Sequence, residues 1–376
     1  MLLPFLALAL IPQPVVQVGD LGSLRAALSQ AKPGTKISVA AGDYDGGLYA
    51  TGLSGTAAAP IVIAGADPKN PPKFHGAIQF QAGSYLEFDD LAIVGVTGNA
   101  IGIDDGGVRE KPSSHIALRG LRITQSLGAG SSGIKMAGVD DFRIEDCAVD
   151  GFAGCGIDMV GCHHGTIENC RFEQGGGVAV QAKGASFDVA IRKCRFVDYG
   201  ASGVNIGQST GIPFFRPSLD KLPAGSRFEA KSITVEGCTF KGGAVPFAFA
   251  GADGGFVRFN TIYEPSKWAI RILQETATPD FVPCRNGRFE DNIVVFRSDR
   301  WFEGGVNVGP KTAPETFRFA RNWWYCNDKP DRSRPTLPTA EEGGSYGQDP
   351  MVRASDLDLD LASPAKMAGA GALPKS

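Results

Sequence analysis

The sequence predicts an all-β chain wound as a single-stranded right-handed parallel β-helix of three sheets and about ten coils, closed by an N-terminal capping helix. Three observations carry that expectation. One phrase returns along the middle of the chain: FRIEDCAV (142–149), GTIENCRF (165–172), VAIRKCRF (189–196) and SITVEGCTF (232–240) align on Cys147, Cys170, Cys194 and Cys238. The steps are 23, 24 and 44 residues, the last being one repeat with an insertion of about a repeat length. Short stretches within each repeat alternate with period two, as strands do. Glycine, at 50 of 376 residues, supplies the corners that several turns per repeat demand.

The segments follow in order. Met1 to Leu10 is apolar and leads into IPQP, so residues 1–17 are expected to be a signal peptide and the protein to be secreted or periplasmic; an apolar first strand is the alternative. The run is too short to span a bilayer, which needs about 20 residues. Leu21, Leu24, Leu28 and Ala31 stand at helical spacing before Lys32-Pro33-Gly34, which fits a short helix covering the first coil. The β-helix domain is expected over 18–371, with a loop insertion at 208–231 and an irregular C-terminal cap at 327–376.

Within the coils, Ile134 and Met136, Ile157 and Met159, Val178 and Val180, and Val204 and Ile206 are expected to point inward. So are Phe247 and Phe249, Ile270 and Ile272, and Val306 and Val308. The aligned slot holds asparagine downstream (Asn260, Asn292, Asn322), and the alignment puts Gly120 and Asp90 in it upstream.

A net charge of −3 with both signs dispersed gives no nucleic-acid surface. Four of the eight cysteines share the repeat slot and read as a buried ladder of small hydrophobes. No zinc spacing occurs, and bridges Cys155–Cys162 and Cys284–Cys326 are left open.

The "I-x-x-N/C-x-F/I" turn ladder, the "G-I/V-x-I/M" strand after it, the opening LRAALSQAKPGTKISVAAGDYDG and the ending DPMV…DLDL…ASPAKMAGAGA together resemble the pectate-lyase-like superfamily of right-handed β-helix proteins. The resemblance covers roughly Leu21 to Gly371. It implies a polysaccharide held on the outer face of the first sheet of each coil.

If the flanking residues of each strand face inward, the residue between faces out. That row reads Gly102, Lys135, Asp158, Ala179, Asn205, Ala248, Arg271 and Asn307, with Asp104, Ala137, Val160, Gln181, Gly207, Ala250, Leu273 and Gly309 two residues on. Expected substrate-binding residues are Lys135, Asp158, Gln181, Asn205, Trp268 and Asn307; a plain Lys135–Asp158 ion pair is the alternative for the first two. Arg271 suits a uronate carboxylate, Trp268 a sugar ring, and Lys267 the base of a β-elimination. Asp158, Gln181 and Asn205 are oxygen ligands that could help hold Ca²⁺. The expected function is therefore an acidic-polysaccharide lyase. A non-catalytic carbohydrate-binding protein is the alternative, and a glycoside hydrolase using Asp158 with Asp104 or Asp105 the second. The insertion, with Phe214-Phe215-Arg216, is expected either to wall the groove beside Asn205 and Arg271 or to be pinned to the body.

Overall fold

A computed structural model describes residues 15–276, 278 and 280–372. The expected signal segment lies mainly outside the described residues; its end, from Val15, already belongs to the first strand, Val15–Val18. That strand pairs in parallel with Lys36–Val39. The helix Leu21–Ser29 follows, started by the Asp20 side chain, which accepts from Ser23 N. Leu24 and Leu28 are buried beneath it, so the helix covers the open end of the core.

From there the chain winds as a right-handed parallel β-helix. One face is a parallel sheet of 12 strands, among them Ala148–Asp150, Arg171–Glu173 and Arg195–Val197. The other two faces merge into a 21-stranded sheet, because long strands such as Ser132–Glu145 and Cys155–Glu168 bend through the corner between them. Stacking places like residues on like: Ile134 on Ile157, Ile144 on Ile167, Val149 on Phe172. One apolar core runs from Val18 to Cys326. Within it the rings of Phe172, Phe196 and Phe240 stack at 5.1 and 4.4 Å.

The repeat slot is set by backbone geometry. The residue before each slot takes a left-handed conformation: Asp146 (φ 55), Asn169 (φ 55), Lys193 (φ 51), Gly237 (φ 65), Phe259 (φ 53), Asp291 (φ 57) and Arg321 (φ 52). Asp90 (φ 55) and Gly120 (φ 62) share it, so they are turn residues and the slot upstream belongs to Leu91 and Leu121. The strand register agrees, pairing Arg122 with both Ala92 and Ala148. The alignment was therefore one residue out there, since asparagine, aspartate and glycine are all at home in the left-handed turn.

The slot is a hydrogen-bonded ladder as well as a packed one. Asn292 Nδ2 donates to Val257 O (3.0 Å) and its Oδ1 accepts from Asn260 N (3.0 Å). Cys194 N donates to Cys238 Sγ (3.4 Å), a weaker copy of the same contact. All eight cysteines are free thiols, and neither Cys155–Cys162 nor Cys284–Cys326 is bridged.

Two inward assignments are corrected. Val180 stacks on Ile157 and Ala182 on Met159, so that coil is shifted by two residues, and Val180 and Ala182 are its inward pair. Val308 is 40% exposed, because its strand ends this row of the stack and none covers it among the described residues. Beyond Asn327 the chain adds one more short strand to each sheet, Glu341–Glu342 and Ser345–Tyr346. The helix Pro364–Met367 and the residues after it then set Ala365 and Ala370 against Ile293 and Trp323.

Candidate functional site

The outer row follows from strand register. Tyr49, Gln79, Gly102, Lys135, Asp158, Gln181, Asn205, Ala248, Arg271 and Asn307 stand opposite one another on successive strands. Gln181, not Ala179, is the member from its coil, as the two-residue shift requires. The second row contains Gln81, Asp104, Ala137, Val160 and Lys183. Lys183 escaped the sequence reading because of the same shift.

The centre of the row is tightly bonded and withdrawn from water. Lys135 Nζ pairs with Asp158 Oδ2, and Gln181 Nε2 donates to Asp158 Oδ1 at 2.9 Å. Asn205 Nδ2 donates to Gln208 Oε1 at 3.0 Å, while its buried Oδ1 has no partner. Gln181 and Asn205 are only 2% and 8% exposed. These residues do not fit a calcium site: both Asp158 oxygens are taken, and the Lys135 ammonium excludes a second cation there. No group of three or more His, Cys, Asp or Glu side chains suited to a metal ion occurs among the described residues. A hydrolase pair of Asp158 with Asp104 is likewise unsupported, since Lys135 lies on the strand between them and holds one of the two.

At the C-terminal end, four of the expected residues meet. Arg271 Cζ lies 5.1 Å from the centroid of the Trp268 ring, and Lys267 Nζ 6.0 Å from it. Arg271 Nε donates to Asn307 Oδ1 at 3.0 Å, and Asn307 Nδ2 donates to Glu303 at 2.9 Å. Neither cation pairs with the nearby acids. Glu264 accepts instead from Asn327 Nδ2 (2.8 Å), and Glu275 from Ser209 N (3.1 Å). Lys267 is exposed, while Trp268 and Arg271 are half-buried.

At the N-terminal end, the face opens into a cleft of ≈ 450 Å³. Its floor exists because Gly102 lacks a side chain: a Cβ there would lie 1.8 Å from Gln79 Oε1. Gln79 instead lies flat across the strand and donates to Asp104 Oδ2 at 2.7 Å, joined by Gln81 at 3.2 Å.

The insertion walls this cleft rather than the Arg271 end. Phe215 is fully buried with Leu219, Phe228 and Phe281, which pins the loop, while Phe214 is 61% exposed. Arg216 then runs back along the corner of three coils. It passes Gly161 (φ 58) and Gly138 (φ 65), where a Cβ would come within 2.3 and 2.8 Å of its side chain, and reaches buried Asp105, Nη2 to Oδ1 at 3.2 Å. The loop's two ends are tied together by Glu229. This buried carboxylate accepts from Gly184 N (3.0 Å), Thr210 N (3.0 Å) and Thr210 Oγ1 (2.7 Å), and also from Thr276 Oγ1. Burial raises its pKa, and those donors recover part of the shift.

Residues 76–225 match the family model described as right handed beta helix region. No curated protein matches the chain in sequence. Among solved structures, a pectate lyase, Pel9A, matches with TM-score 0.56 at 12% identity, over 93% of this chain and 90% of its own. An alginate lyase from Paenibacillus sp. str. FPU-7 matches with TM-score 0.53 at 16% identity, over 78% and 99%. A rhamnogalacturonan lyase matches with TM-score 0.51 at 15% identity, over 81% and 82%. These likenesses show the fold, a right-handed parallel β-helix. No helix among the described residues is long and apolar enough to cross a membrane.

Proposed function

We propose that this protein is exported and cleaves uronate-containing polysaccharide by β-elimination at the Trp268 end of the outer face. The observation that carries the reading is the convergence of Arg271 and Lys267 on one indole, with neither neutralised by Glu264 or Glu275. Asn307 orients Arg271 through Nε, which leaves the terminal nitrogens to take a carboxylate in bidentate fashion. Trp268 offers an apolar surface to a sugar ring.

The chemistry balances on these groups. Arg271 neutralises the uronate carboxylate, which makes the C5 hydrogen acidic. The free amine of Lys267 takes that proton, and the C5–H electron pair becomes the C4=C5 double bond. The C4–O glycosidic bond breaks, and its electron pair leaves on the oxygen. That oxygen is protonated by the proton Lys267 took or by solvent. The similarity to three lyase structures supports the reading through the fold.

The exposure of Lys267 favours a second reading, a polysaccharide-binding protein without catalysis, since nothing around its amine excludes water from a proton transfer there. The deciding experiment incubates the purified protein with pectate, alginate and glycosaminoglycans and follows the ultraviolet absorbance of an unsaturated uronate. A rise lost in Lys267→Ala supports the elimination. A flat trace on every polymer, with binding retained, sinks it in favour of the binding protein.

A further inference from the structure

The cleft at the N-terminal end of the outer face differs electrostatically from the Arg271 end. Its two cations are already spoken for: Lys135 pairs with Asp158, and Arg216 with Asp105. Asp104 makes no ion pair among the described residues. Its Oδ2 accepts from the amides of Gln79 and Gln81, and its Oδ1 from Gly106 N at 2.8 Å. The cleft therefore holds one carboxylate charge more than it balances, beside side-chain amides of Gln79, Gln81 and Asn99. A second carboxylate entering it would meet repulsion in a partly dehydrated space. Hydroxyl groups would not, because each can donate to Asp104 and accept from the free N–H bonds of Gln79, Lys135 or Arg216.

The cleft is also built rather than incidental. Gly102 makes the floor, Gly138 and Gly161 leave the track along which Arg216 crosses three coils, and buried Asp105 fixes the end of that arm. Lys135 and Arg271 are five strand-to-strand steps apart on the row, a span of about 24 Å at the usual ~4.8 Å strand spacing. A polymer lying along the face would touch both ends with different sugars.

We infer that this cleft is a subsite for an uncharged, hydroxyl-rich sugar unit, so that the polysaccharide recognised is a mixed one in which neutral sugars accompany the uronates. The inference rests on the proposed polysaccharide function and adds the substrate class. It does not require the elimination step.

The test is calorimetric titration of the full chain with two oligosaccharides of equal length, a homopolymer of galacturonate and an alternating rhamnose–galacturonate oligomer. The alternating oligomer is expected to bind about tenfold more tightly, roughly the value of one or two well-placed hydrogen bonds. Gln79→Ala should cancel most of that preference while leaving homopolymer affinity within about twofold. Asp104→Asn, which keeps the side-chain shape, should narrow the preference by improving homopolymer binding. Equal or tighter binding of the homopolymer by the unaltered protein overturns the inference, as do variants that weaken both ligands equally or neither. Failure of the lyase reading shows separately, as binding without an unsaturated product.

Discussion

Replacing Asn292 with alanine tests whether the repeat slot is a hydrogen-bonded spine or merely a packed one. Asn292 is fully buried, and its side chain is the main partner of two backbone groups that have no route to water. These are the carbonyl of Val257, reached by Nδ2 at 3.0 Å, and the N–H of Asn260, which donates to Oδ1 at 3.0 Å. The neighbouring amides lose less, because Asn260 Nδ2 keeps Val235 O and Asn322 Oδ1 keeps Asn292 N. Two orphaned buried groups at about 1–3 kcal/mol each place the loss at roughly 2–6 kcal/mol. Asn292→Cys installs the residue that the same slot uses upstream and should recover part of the loss, since sulfur can accept and donate weakly, as Cys238 does for Cys194 N at 3.4 Å. Urea unfolding followed by tryptophan fluorescence measures both variants; an unchanged slope with a shifted midpoint isolates stability. A loss below about 1 kcal/mol for Asn292→Ala, or a Cys variant no better than Ala, would refute the argument.

Three further outcomes are expected. Arg271→Ala should weaken binding of uronate polymers about tenfold or more, the scale of one charge-assisted contact, and unchanged affinity by titration would remove Arg271 from the site. Gly161→Ala places a Cβ 2.3 Å from Arg216 Cβ on a backbone at φ 58, so the insertion must lift; limited proteolysis should then cut within residues 208–231 faster, and an unaltered digestion rate would count against the track. Glu229 has a folded pKa raised above its ordinary 4.5, so the folded chain holds the proton over the window between the two values. The stability of the insertion is accordingly greatest below the ordinary value and falls as pH rises through the raised one. Hydrogen exchange at Gly184 and Thr210 should increase across that window, and Glu229→Gln should abolish the slope. The same variant should loosen the loop at all pH values, because an amide NH₂ must then face a backbone N–H.

The local chemistry of one repeat was enough to specify the winding. A slot every 22 to 24 residues, followed by a strand with two inward apolar residues, can close its core only by stacking, and Ile134, Ile157, Val204 and Ile270 all take their expected inward places. The same logic put Lys135, Asp158, Asn205, Arg271 and Asn307 on one face. It slipped where two local solutions look alike. Val178-Ala-Val180-Gln-Ala182 satisfies period two in either of two frames, and only pairing with Ile157 and Met159 chooses between them, placing Gln181 beside Asp158. Asp90 and Gly120 suit a left-handed turn as well as a ladder slot, and only the register assigns the slot to Leu91 and Leu121. The cleft and its wall lay beyond any repeat. Arg216 meets Asp105 across 111 residues of chain, along a track of glycines that individually read as ordinary corners. Sequence period determines which residues share a face, because strand geometry is local. What covers that face, and which charges there are already paired, depends on how far an insertion reaches across coils, and only the tertiary structure decided it.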